Sequence, residues 1–146
     1  MDANPRRQRI SGWIFVACGV WMMGLGTYFV AFRPPLLAED LRHIGSSLAD
    51  LQAALPRLEG WLDRVFGVVG GFMAGAGALT IFVAATAVRR RERGTGATLA
   101  LVGLLTVVGM SATNFAIDSD FKWVLLAPAL LWIAGMVCYL LERPIR

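Results

Sequence analysis

Three polar residues near the ends of apolar stretches are the first candidates for chemistry: Arg64, Asn114 and Asp118. Arg64 leads into Gly67 and Gly71 at steps of three and four, the spacing of one helix face. Gly103, Val107, Ser111, Asn114 and Asp118 share a face in the same way. If neighbouring helices bring these faces together, a guanidinium, a carboxamide and a carboxylate meet at one mouth, with Asp120 and Lys122 beside them. Such a cluster suits a hydrogen-bonded clasp between helices, or a site for a ligand or lipid headgroup. Catalysis needs more than it offers, because no nucleophile–base pair accompanies it. The one histidine, His43, lacks an HxxxH partner. Cys18 and Cys138 lie in separate apolar runs, outside any CxxC pair. No metal site, disulfide framework or cofactor is therefore expected, and the chain reads as a non-enzyme.

The elements that must position these residues follow from composition. The chain has 146 residues, 57% hydrophobic and only 16% charged, with a mean hydropathy of +0.62. Its basic balance does not indicate nucleic acid, because the arginines flank apolar runs and form no basic face interleaved with aromatics. Four uncharged stretches, 10–32, 65–88, 94–117 and 123–141, are each near the ~20 residues that a helix needs to cross a bilayer. The first is too long for a signal peptide and is followed by no small-residue cleavage site. The expected fold is all-α: one domain over 1–146, a bundle of four transmembrane helices with an added amphipathic helix in the first outer loop.

Charge sets the expected orientation. Arg6, Arg7 and Arg9, the group Arg89, Arg90, Arg91 and Arg93, and Arg143 with Arg146 fall on one side of such a bundle. The positive-inside rule makes that side cytoplasmic and places both termini there. Arginine in place of lysine, with abundant Ala and Gly, suggests a GC-rich bacterial source and hence an inner membrane. Tyr28, Phe29, Phe32, Trp61, Phe66, Phe115, Phe121 and Trp123 fall at the outer interface, and Trp13 and Tyr139 at the inner one.

In the first outer loop, Leu37, Leu41, Ile44, Leu48, Leu51 and Leu55 recur at alternating steps of four and three. This predicts an amphipathic helix over about 36–55, started by Pro34 and Pro35, stopped by Pro56 and weakened at Gly45. Its mixed charges favour capping of its own bundle over simple attraction to anionic lipid. Small residues predict close helix packing. Gly67, Gly71 and Gly75 form a doubled GxxxG, and Gly70, Gly77 and Ala84 form a second small face on the same helix. Gly12, Gly19 and Gly26 repeat at heptad spacing in the first span, and Gly96, Ala100 and Gly103 line the third. No ionisable residue lies in the middle of a span, which argues against an ion pathway.

The stretch LDRVFGVVGGFMAGAGALTIFVA, 62–84, in its four-span setting resembles DoxX-like small bacterial membrane proteins. Segment 114–123, NFAIDSDFKW, resembles uncharacterised four-span proteins of the same kind. The resemblance implies the four-span architecture and, for some members, a link to respiratory or redox complexes. It implies no catalytic residue. Three functions follow from these readings. The first is a structural or accessory protein that binds a partner membrane protein or itself. The second binds membrane lipid or another hydrophobic molecule at the outer leaflet, lined by Trp21, Tyr28, Phe72 and Trp132 and lidded by the loop helix. The third is a small oligomeric transporter.

Overall fold

The computed structural model describes residues 10–142, and the flanking arginines Arg6, Arg7, Arg9, Arg143 and Arg146 lie outside them. Among the described residues all regular structure is helical. Four helices are long and apolar enough to cross a membrane: α1 (Ile10–Ala31), α4 (Leu58–Val88), α5 (Thr95–Ala116) and α6 (Lys122–Leu141). Two short helices, α2 (Ala38–Ile44) and α3 (Leu48–Ala54), lie between α1 and α4. We call the end carrying α2, α3 and the 117–121 connection the loop end, and the end carrying 89–94 the turn end.

Local chemistry sets the boundaries. Pro34 and Pro35 follow α1 and prevent its continuation. α4 begins seven residues earlier than its apolar run, at Leu58, so its first two turns carry Glu59, Asp63 and Arg64. At the turn end Arg91 and Gly94 have φ of 55° and 86°, reversing the chain into α5. Asp118, φ 53°, makes the corresponding reversal into α6, in a conformation that aspartate tolerates better than most residues. α4 and α5 each contain one π-helical turn, Ala84–Val88 and Leu104–Val108.

The single helix expected over 36–55 is two helices. Gly45 adopts φ 74° and donates its N–H to the Leu41 carbonyl, which ends α2. Ser47 then caps α3, its Oγ accepting the Asp50 N–H at 3.1 Å. The leucine stripe does not enter a core: Glu39 is the only buried residue of α2, and α3 buries none.

α1 packs on α4 through matched glycines. A Cβ on Gly26 would lie 2.5 Å from the Gly70 carbonyl, and one on Gly19 2.7 Å from that of Gly77. Gly12 faces Ala84 at 3.6 Å by the same measure. The helices run antiparallel, so the two heptad series stay in register along the contact. Gly67, Gly71 and Gly75 take no part, since a Cβ on any of them meets nothing within 4 Å. The packed face of α4 is thus the Gly70–Gly77–Ala84 face, and the doubled GxxxG is left open.

Trp132 joins the other helices. Its indole donates to the Leu99 carbonyl of α5 at 3.0 Å and covers Gly103 so closely that no Cβ fits there. Phe15 of α1 meets it edge-on at 5.2 Å between centroids. Gly135 makes room for Phe15 one turn further along α6. Ser111, also buried, donates to the Leu125 carbonyl and fastens α5 to α6 at 2.7 Å. The outward faces are apolar, with Phe72, Leu79, Leu105 and Leu140 all about two-thirds or more exposed. That inside-out surface suits hydrocarbon rather than water.

Candidate functional site

The loop end holds most of the polar side chains, and α2 is tied there at three points. Arg33, just past α1, is nearly buried: its side chain is 7% exposed. It pairs with Asp40 at 3.1 Å, donates to the Pro34 and Pro35 carbonyls, and stacks over Phe66 of α4 at 3.6 Å from the ring centroid. Asp40 also accepts the Leu37 N–H at 2.8 Å, closing the first turn of α2. The desolvated guanidinium therefore has an anion, carbonyls and an aromatic face, which satisfy its charge where water cannot.

Glu39 makes the second tie. Its buried carboxylate accepts the Ser119 hydroxyl at 2.9 Å and the Asp120 N–H at 2.8 Å. Ser119, itself fully buried, accepts the Phe121 N–H at 3.1 Å. The third tie is the forked pair of Arg42 with Asp120, at 2.8 and 3.3 Å. Hydrogen bonding and charge from Asp120 raise the Arg42 pKa. Lys122 pairs with Asp118 one turn away, and that hydrogen bond, then its charge, holds the Asp118 carboxyl below its usual range.

Of the five residues predicted as a cluster, only Asp118 and Lys122 are joined by a direct contact. Asp118 and Lys122 pair with each other, and Asp120 pairs with Arg42 of α2. Asn114 turns back onto its own helix, donating to the Met110 carbonyl at 2.9 Å. Arg64 is exposed and makes no hydrogen bond or ion pair with the described residues. No hydrogen bond or ion pair among the described residues joins Arg64 to Asn114 or Asp118. Sequence reading missed Arg33, Glu39 and Ser119. A charged residue against a double proline was the available signal for the first; Ser119 and Glu39 carried none.

A second polar closure stands at the turn end. Glu142 accepts the Ser11 N–H at 3.0 Å and the Ser11 hydroxyl at 2.7 Å, placing a carboxylate at the start of α1. Arg91 donates to the Tyr139 and Glu142 carbonyls and stacks on the Tyr139 ring at 4.3 Å. Both contacts complement the helix dipole, anion at an N-terminus and cation at a C-terminus.

These arrangements hold elements together and present no reacting pair. Among the described residues no three His, Cys, Asp or Glu side chains converge in a metal-binding group. His43 is exposed, and Trp132, expected to line a ligand site, is a core residue 2% exposed. Trp21 and Phe72 do share a cavity, an apolar crevice between α1, α4 and α5. Comparison with family models, with characterised proteins and with solved structures returns no match to this chain.

Proposed function

We propose that this chain is a non-enzymatic accessory protein of a bacterial inner membrane, with both termini cytoplasmic, that docks onto other membrane protein through α4. One observation carries this reading: α4 has two small-residue faces and α1 fills only one of them. Gly67, Gly71 and Gly75 stay open, although glycine in a helix costs stability unless close approach repays it. Arg64 shares that face by helical spacing, and Asp63 borders it; both are exposed and unpaired among the described residues.

A second copy is the simplest partner. In a parallel α4 pair related by a two-fold axis, Asp63 and Arg64 fall on opposite sides of the glycine line. Each Arg64 then faces Asp63 of the other copy, which makes two ion pairs across the axis. Nothing at mid-span favours the transporter reading. Native mass spectrometry of the protein released directly from membranes tests the proposal. Dimers, or a complex with another protein, are expected; a uniform population of lone monomers contradicts it.

A further inference from the structure

The geometry points to an acyl-chain site inside the membrane, in the crevice between α1, α4 and α5. α4 and α5 pack together beside the turn, where Ala84–Val88 lies on Thr95–Gly103, and part toward the loop end. The space left between them is about 650 Å³, within the range of ligand cavities. Trp21 and Met22 line it from α1, Phe72 and Met73 from α4, and Leu105 and Met110 from α5.

Its chemistry selects the occupant. The two hydroxyls in the lining are already satisfied on their own helix: Thr106 donates to Val102 at 2.6 Å and Thr113 to Gly109 at 3.0 Å. Of the lining side chains only the Trp21 indole N–H has no hydrogen-bond partner among the described residues, so the part of the ligand held here is mostly hydrocarbon. The lining also stops at Ala76 of α4 and Leu105 of α5, near the middle of both helices. A partner helix cannot stop at that depth, because its terminal N–H or C=O groups would be stranded in hydrocarbon. An acyl chain can stop anywhere.

Continuity identifies the source as membrane phospholipid. Phe72 and Leu105, 77% and 70% exposed, stand at the crevice on the same apolar surface that a bilayer covers. Lipid tails are as apolar as leucine, so the gain on entry is contact rather than escape from water. Two features let the walls adapt to a chain. Three methionine side chains are flexible and unbranched. The π turn of α5, Leu104–Val108, forms part of the wall, and such turns locally re-aim side chains. This site faces away from Gly67, Gly71 and Gly75 around α4, so it does not rest on the docking proposal.

The test uses the full chain in vesicles of phosphatidylethanolamine and phosphatidylglycerol, doped with a phospholipid carrying a diazirine at one acyl terminus. After illumination, mass spectrometry maps the labelled residues. Label is expected to concentrate on Met22, Met73 and Met110 over Leu130 and Ile133, exposed apolar residues of α6. Ala76→Phe, and separately Thr106→Phe, fill the crevice and should reduce label on Met73 and Met110 to the α6 level. Two substitutions from different walls guard against one of them failing to fold. Label spread evenly over all exposed apolar faces overturns the proposal, as does label at Met73 and Met110 unchanged in both variants. So does a crevice closed to label while α6 is labelled, since a protein segment would then occupy it.

Discussion

Gly26 of α1 and Gly70 of α4 meet backbone to backbone: a Cβ on either would come within 2.6 Å of the other's carbonyl oxygen. The contact recurs a heptad away at Gly19 and Gly77 and sets the distance between the first two spans. Gly70→Leu or Gly19→Leu should therefore cost about 1–3 kcal/mol or more through overpacking, whereas Gly71→Leu should leave the isolated chain nearly unchanged. Thermal unfolding of the monomer in detergent, read by circular dichroism, separates the two classes.

Trp132 spans three helices, so its removal should be felt widely. Trp132→Phe keeps most of the ring contact with Phe15 but loses the hydrogen bond to the Leu99 carbonyl, at a cost of roughly 1 kcal/mol. Gly103→Ala should cost more, because the indole occupies the space its methyl needs. Unfolding in detergent again gives the comparison, and equal effects would contradict this packing.

Much of the long-helix architecture is legible in sequence because length and hydropathy determine whether a helix can cross a bilayer. The choice between the two glycine faces of α4 is not. Both are small, and only the heptad on α1 hints that the Gly70–Gly77–Ala84 heptad would match it. The polar cluster misled for a related reason. Arg64, Asn114 and Asp118 lie near the same ends of their apolar runs in the sequence, yet depth along a run says nothing about which neighbour a side chain meets. Arg33 escaped notice because burial of an arginine depends on Phe66 and Asp40, thirty-three and seven residues away. Gly45 was legible as a weak point, but the full break at its positive φ depended on Ser47 capping the next helix.

Glu39 keeps α2 tied to the 117–121 connection. Glu39→Ala leaves the buried Ser119 hydroxyl and the Asp120 N–H without an acceptor, a penalty of about 1–3 kcal/mol. Amide exchange at Asp120 should accelerate in Glu39→Ala, and much less in Glu39→Gln, whose carbonyl oxygen still accepts. Identical exchange in both variants and the parent would contradict the tie.

The ion pairs at the loop end predict little pH dependence near neutrality. Asp118 has a lowered folded-state pKa, so its contribution is present above the ordinary carboxylate pKa of about 3.9. It disappears as pH falls through the still lower folded value. Arg42 is raised, so its contribution is lost only as pH climbs past the ordinary arginine value, beyond any working pH. The melting difference between parent and Asp118→Asn should stay flat from about pH 6 to 8 and shrink below about pH 4. A difference that grows on acidification would reverse the sign assigned to this pair.

The open face of α4 is tested most directly by cysteine crosslinking in native membranes, in a background with Cys18 and Cys138 replaced by alanine. Gly71→Cys should give a crosslinked dimer, or a crosslink to another membrane protein, well above Leu130→Cys on α6. If Gly71→Cys crosslinks no more than Leu130→Cys, the open glycine face is bare to lipid and the accessory role proposed for it is wrong.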